Sequence, residues 1–427
     1  MSNDIVSASE GLLRKLDRIS KFGSRYNVYP YQEASKIVDE MRELADSLAD
    51  IEVPKNQNQL VQSELKRRLN GEALSLEQIL TPRYYDFDTV VSMYAIPESD
   101  ISGLRDWLVA NRNKTLESIE RLYQTKDIQN YELGLQVDIP SVRRQAEEFS
   151  AVHIQRYHKI LGKLLQNLTQ VGEFLRDINA VPTTEGRSYF NSLTNTLAIG
   201  IPAICFTTED CSLQIRERDL ITLYGHEGMG HALNQVITKN NRLPYFLIKD
   251  TSLTVATMES VAQYYQNVIF EDLKSSPETQ RDLGIQHIFG EIYQEAKDIA
   301  QLEEYQLKLF RYAVTVLADK ELGQPQDPVT LKKKGDLLCE VTLDPTYPLH
   351  FVESNRYNFD SQGNLNPQLV SELRYCAQPV QRALSEFAKQ GIHYKGEGRS
   401  KIDATLLRGF WTPIGFVDNA RLRAQDK

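Results

Sequence analysis

Residues 224–234 read Tyr-Gly-His-Glu-Gly-Met-Gly-His-Ala-Leu-Asn, with His226 and His231 five positions apart and Glu227 directly after the first. The stretch before them, Arg216 to Leu223, passes from charged to apolar residues at helical spacing, which predicts a helix beginning near Asp219. On an α-helix, side chains four apart sit about 40° apart around the axis, whereas those five apart diverge by about 140°. If both imidazoles are to face one point, the backbone must leave α-geometry. One extra residue in a turn, a π-bulge, makes that correction, and such bulges are frequent at functional sites. Gly228 and Gly230 fit the same expectation. A glycine inside a helix costs about 1 kcal/mol against alanine, so two of them ask for a structural reason.

Two imidazoles converging on one point are metal ligands in zinc sites, and a third ligand leaves the fourth position open to water. The third is expected from Glu259, 28 residues after His231. It lies in Thr257-Met258-Glu259-Ser260-Val261-Ala262-Gln263-Tyr264-Tyr265-Gln266-Asn267, where Met258, Val261, Ala262 and Tyr265 mark the apolar face of a second helix. Glu227 is adjacent to a ligand without being needed as one, which is the place of a general base.

These two segments resemble the zinc peptidases that carry His-Glu-x-x-x-His, namely the microtubule-associated tyrosine carboxypeptidases and their bacterial relatives with a Gln-Glu-Gly-Leu-Ala motif. Met258-Glu259-Ser260-Val261-Ala262 stands in that second place and keeps its Glu and Ala, and Asn240-Asn241-Arg242-Leu243-Pro244 fills the Asn-rich, Pro-containing gap. Gly230-His231-Ala232-Leu233 is similar to the Gly-His-Ala-Leu of thimet oligopeptidase and the thermostable bacterial carboxypeptidases. Glu259-Ser260 with Asn267 resembles the second-ligand helix of the latter, and His-Glu-x-x-Gly-His is the form found in dipeptidyl peptidase III. The similarity spans Arg187 to Asn267.

The resemblance implies a gluzincin-type peptidase: a mainly α, helical zinc-peptidase fold with a small β-element next to the metal-binding helix and a cleft between two helical lobes. It implies Zn2+ held by His226, His231 and Glu259, with Glu227 activating water. Asp344-Pro345-Thr346-Tyr347-Pro348-Leu349-His350-Phe351 resembles the Pro-Thr-Tyr turn of the thermostable carboxypeptidases, and Arg356 follows it. Hydrolysis needs a donor to the developing oxyanion, and a free C-terminus is matched by a guanidinium through two parallel hydrogen bonds. Tyr347 is thus a candidate catalytic residue, with His350 and Arg356 as candidate substrate-binding residues; His393-Tyr394 is a weaker alternative. The expected activity is zinc-dependent peptide-bond hydrolysis, first as a carboxypeptidase acting on short peptides or a protein C-terminus. Oligopeptidase or dipeptidyl peptidase action, hydrolysis of a non-peptide amide, and a non-catalytic helical scaffold with a vestigial metal site are the alternatives.

The composition constrains partners more than chemistry. Of the 427 residues 41% are hydrophobic and 25% charged, as in a globular protein, and the net charge of −9 argues against nucleic-acid and anionic-membrane partners. Met1-Ser2-Asn3-Asp4-Ile5-Val6 lacks the basic-then-apolar pattern of a signal peptide, so a cytoplasmic location is expected. Cys205, Cys211, Cys339 and Cys376 are too scattered for a disulfide framework and are expected to be reduced and buried.

Along the chain, residues 1–140 read as a helical region without a catalytic constellation, and 141–427 as the catalytic region, the two forming one integrated unit. Leu12, Leu13, Leu16, Ile19 and Phe22 repeat at helical spacing, as do Ile37, Met41, Leu44 and Leu48. A helix is expected from Ser102, and a long one from Pro140 to about Ile178 that carries His153 and His158 as solvated or core histidines. Thr196 to Phe206 is apolar and β-branched, a strand with Tyr189-Phe190 as a candidate hairpin partner, and Pro202 suggests an edge position. Resemblance to the thermolysin-like zinc peptidases, where an edge strand before the metal helix pairs with the substrate backbone, implies that role here; capping the core is the alternative. A long helix is expected from Asp282 to Leu322 with His287 packed on its core stripe. Lys332-Lys333-Lys334 reads as a solvated face, and Leu406 to Trp411 as a segment packing back on the fold.

Overall fold

A computed structural model describes residues 7–16, 18, 31–49, 57–80, 84–94, 103–124, 140–168, 177–208, 212–232, 243–248, 251, 253–323, 327–344, 347–355, 358–360, 362–366, 369, 373, 377–392, 397–406 and 408–425. The protein is mainly helical. In chain order the helices are α1 (Tyr31–Ala49), α2 (Gln57–Leu80), α3 (Phe87–Met93), α4 (Leu104–Gln124), α5 (Pro140–Leu168), the single turn α6 (Ile201–Ile204) and α7 (Glu217–Leu223). After a π-helix at Tyr224–His231 come α8 (Tyr245–Ile248), α9 (Val255–Lys274), α10 (Pro277–Leu283), α11 (Phe289–Ala318), α12 (Pro328–Cys339), α13 (Tyr347–Asn355), α14 (Pro379–Lys389), α15 (Glu397–Leu406) and α16 (Pro413–Gln425). Five short strands lie between α5 and α7: β1 (Asn179–Thr183), β2 (Tyr189–Asn191), β3 (Thr196–Gly200), β4 (Cys205–Thr207) and β5 (Leu213–Ile215). No helix among the described residues is long and apolar enough to cross a membrane.

Two compact units interleave in sequence. One comprises residues 1–112, 238–260 and 306–427, the other 113–237 and 261–305. The break that the sequence suggested near residue 140 falls inside the second.

In the first unit α1 packs along α2 and buries Ile37, Met41 and Leu48 as the spacing predicts, but the fourth buried position is Ala45, and Leu44 is only half-buried. The hydrophobic core proper gathers Tyr85, Val90, Leu253, Leu317, Leu338 and Leu365. The C-terminal segment docks as expected. Glu64, fully buried on α2, accepts from the Thr412 amide at 2.7 Å and from its hydroxyl at 2.7 Å. Arg68, one turn on and also buried, donates to the Phe410 carbonyl and pairs with Glu64 at 3.3 Å. Trp411 is buried between these contacts in sequence.

The lysine run does not form one solvated face. Lys332 and Lys333 are exposed, but Lys334 is fully buried and donates to the Leu317 carbonyl at 2.6 Å and the Asp319 carbonyl at 2.9 Å. It thereby satisfies acceptors that the C-terminus of α11 leaves open.

The second unit carries the β-element. Its three-stranded sheet has the order β1-β3-β2, with β3 parallel to β1 and antiparallel to β2, where Tyr189 pairs with Ala198 and Phe190 with Leu197. The expected hairpin partner is therefore present, but β3 is central rather than an edge. Pro202 takes nothing from the ladder because the strand ends at Gly200 and the proline sits in the first turn of α6. The chain resumes as β4, which pairs antiparallel with β5. The expected helix from Asp282 also starts later. Gly284, at φ +76°, ends α10 in a left-handed turn, and α11 opens at Phe289, leaving His287 exposed in the connection instead of packed. Cys205 is buried as expected, whereas Cys339 is exposed; Cys211 and Cys376 lie outside the described residues.

Burial lowers the Lys334 ammonium from 10.5 to about 8, with Asp319 opposing the shift. Between those values the unfolded chain binds more protons than the folded one, so this residue makes stability rise with pH there. Urea denaturation should show the wild type gaining on Lys334→Met as pH goes from about 8 toward 10.5, with no such gain below pH 7. A constant difference across that window would refute the assignment.

Candidate metal centre

The sequence that demanded a distorted helix has one. Helix α7 begins at Glu217, two residues before the expected start, and gives way to π-geometry over the eight residues Tyr224–His231. An i→i+5 ladder closes its turn one residue later than an α-helix does, so positions five apart stack one above the other. The rings of His226 and His231 accordingly lie 5.1 Å apart between centroids, edge to face at 76°. The same turn turns Tyr224, Gly225, Gly228, Met229 and Gly230 inward and leaves His226, Glu227 and His231 half-buried.

The glycines have a packing role in addition to their backbone freedom. A Cβ on Gly230 would lie 2.4 Å from the Ala262 Cα and 2.6 Å from its Cβ; one on Gly225 would lie 3.0 Å from the Gln266 Cα. The π-helix therefore rests directly on the backbone of α9. Glu259, Ala262 and Gln266 share one face of α9, at spacings of three and four residues. A contact centred on Ala262 thus delivers Glu259 on one side and Gln266 on the other.

One ligand atom from each of His226, His231 and Glu259 can be chosen so that all lie within 4.8 Å of one another. Four-coordinate zinc at about 2.0–2.2 Å from its ligands wants donor atoms roughly 3.4 Å apart, a closure within reach of side-chain rotation. The donor chemistry also fits: two neutral imidazoles and one carboxylate are a three-ligand set with room for water. Glu227 Oε2 stands 3.9 Å from His231 Nε2, beside the ligands.

Further polar contacts hold these groups. His226 Nδ1 lies 3.1 Å from Gln266 Oε1, and Gln266 Nε2 lies 3.4 Å from a carboxylate oxygen of Glu303 on α11. The π-helix is also tied to α5, where His158 Nδ1 meets the Tyr224 hydroxyl at 3.0 Å. Burial raises the Tyr224 phenol and lowers the His158 imidazole, while the Ile178 backbone works against the latter shift. Both partners are thus kept neutral. His158 is half-buried structural packing, and His153 rests on the Phe149 ring at 4.7 Å. Next to Glu259, Ser260 accepts from the Val380 amide at 3.2 Å and lies 3.0 Å from Gln381 Oε1.

Tyr347 and His350 fall on α13, but their side chains lie outside what the structure describes; Arg356, His393 and Tyr394 lie outside the described residues altogether. Sequence reasoning passed over Gln266 and Glu303. Only the seven-residue interval from Glu259 to Gln266, two helical turns, pointed to the first. No protein-family model, no curated protein and no solved structure matches the chain.

Gly230→Ala should destabilise the fold by about 1–3 kcal/mol, since the new methyl overlaps backbone that has no room to yield. Gly228→Ala should cost less, because the tightest contact of its Cβ is the Leu197 Cδ2 at 3.2 Å, the end of a flexible side chain, and the Tyr224 ring at 3.6 Å is at ordinary contact distance. Equal losses in chemical denaturation would show that the direct helix contact is not the constraint.

Proposed function

We propose that this chain is a zinc-dependent peptide hydrolase with a zinc-peptidase fold. One juxtaposition carries the reading: His226 and His231 stacked by a π-helix, the Glu259 carboxylate within 4.8 Å, and the acid Glu227 beside them. Zinc bound there would polarise the substrate carbonyl and make its bound water acidic near neutral pH. Glu227 takes the proton from the attacking water and later gives it to the departing amine. A purely structural metal site needs no such acid, which favours catalysis over a vestigial site.

The strand β2 supports a peptide substrate in particular. It packs on the π-helix, and among the described residues it pairs on one side alone, with β3. An extended chain could add to its open side through main-chain hydrogen bonds, the usual way an exposed strand holds a peptide. In this reading Tyr347 stabilises the oxyanion, and His350 and Arg356 bind the end of the substrate, which makes the enzyme a carboxypeptidase.

The purified protein should bind about one zinc per chain, and His226→Ala, His231→Ala and Glu259→Ala should each lose most of it by metal analysis. Glu227→Gln should keep zinc and fold while peptide hydrolysis falls roughly 10²–10⁴-fold. Wild-type turnover in that variant would remove Glu227 from the reaction.

Direction of cleavage is tested with paired substrates. A guanidinium that binds a free carboxylate loses one acceptor and the charge when the peptide is amidated. Free peptides should be trimmed from the C-terminus and their amides should resist, with Arg356→Ala narrowing the gap. Equal cleavage of both forms would overturn the carboxypeptidase assignment and leave hydrolysis standing.

A further inference from the structure

We infer that Gln266 and Glu303 act as a relay that sets which nitrogen of His226 carries its proton and which carries the lone pair a metal would use. The chain of reasoning begins at the end remote from the histidine. An ionised carboxylate can only accept hydrogen bonds, whereas a glutamine amide has one accepting and one donating end. Burial raises the Glu303 carboxyl and the Gln266 hydrogen bond opposes that rise; ionised, and 3.4 Å from Gln266 Nε2, it holds the NH2 end of the amide toward itself. Its oxygen is then the atom facing His226, at 3.1 Å from Nδ1. An oxygen acceptor at that position requires the proton on Nδ1, and a neutral imidazole protonated there presents the Nε2 lone pair on its other side.

The orientation of one amide is thus passed on as the tautomer of a ligand. Gln266 reaches His226 because it shares a face of α9 with Ala262, where the backbones meet, and because Gly225 leaves its Cα uncrowded. Gln266 is nearly buried, so water does not compete freely for its amide. Metal-bound histidines commonly donate their second N–H to a carboxylate or a carbonyl. Here the acceptor is a neutral amide, and the negative charge sits one hydrogen bond further away. Gln266 and Glu303 are positioning residues, acting on His226 and not on substrate.

The affinity arm of the test rests on the metal reading given above; the tautomer arm does not. The full chain, stripped of metal and labelled with ¹⁵N-histidine, contains seven histidines. Long-range ¹H–¹⁵N spectra at about pH 8, where imidazoles are neutral, report the tautomer of each. His226 should be Nδ1-protonated in the wild type and should lose that preference in Gln266→Ala. Zinc affinity, measured by competition with a chromophoric chelator, should fall roughly 10–100-fold in Gln266→Ala. Glu303→Gln should weaken it by a smaller factor, because two facing amides no longer fix one orientation.

The decisive variant exchanges the two groups. Gln266→Glu with Glu303→Gln restores an acceptor opposite Nδ1 and a donor opposite that acceptor, in the same volume. It should return the tautomer and bring affinity to within a few-fold of wild type. An Nε2-protonated His226 in the metal-free wild type overturns the inference. So does wild-type zinc affinity in Gln266→Ala, or a double variant no better than that single one. If the wild type binds no zinc, the proposed function falls, while the tautomer spectra still decide the relay.

Discussion

Where Gly230 meets Ala262 an added Cβ would fall 2.4 Å from the opposing Cα and 2.6 Å from its Cβ, so the π-helix lies against the backbone of α9 with no side chain larger than the Ala262 methyl at the contact. The candidate centre depends on that contact. A methyl group at either glycine of the seam would push α9 outward, and Glu259 and Gln266 would move with it, since a helix shifts as a rigid element. Distances of the order needed for metal ligation tolerate little of that. The helix penalty of the glycines is therefore offset by a function in packing, and only secondarily by backbone freedom.

Polar contacts then fix what packing has brought near. The Tyr224 hydroxyl holds the first turn of the π-helix to His158 on α5, in a pair that burial keeps neutral on both sides. On α9, Ser260 fixes the turn beside Glu259 by accepting the Val380 amide. None of these groups belongs to the candidate ligand set. They limit the freedom of the groups that do, in the way a rigid scaffold supports a pre-organised site.

The histidine spacing was legible because it contradicts an α-helix, and a contradiction inside an otherwise regular pattern carries information. The same holds for Gly228 and Gly230, which sit where nothing else in the sequence asked for them. The strand at Thr196 was legible as a strand and its hairpin partner was found, but its place in the sheet was not. Pro202 lies beyond the last paired residue, so its missing donor said nothing about the ladder. Lys334 looked like its two neighbours because a basic run has no period; only the helix end it caps sets it apart. Gln266 and Glu303 lie 37 positions apart, and a single amide has no sequence signature until both its partners are known. His287 was placed on a stripe that a left-handed glycine interrupts, three residues before it.

A π-segment also has an effect beyond its own limits. It accommodates one residue more than the α-helical turns it replaces, so the chain leaving it is out of phase by about 100° with an uninterrupted helix. Removing one residue between His226 and His231 would give a four-residue spacing that an ordinary α-helix satisfies. Both lengths can present two imidazoles to one point. They differ in the azimuth of the next residue, Ala232, which is buried. The extra residue thus works as a phase shifter: it leaves the histidine pair in register and sets the azimuth at which Ala232 meets the interior.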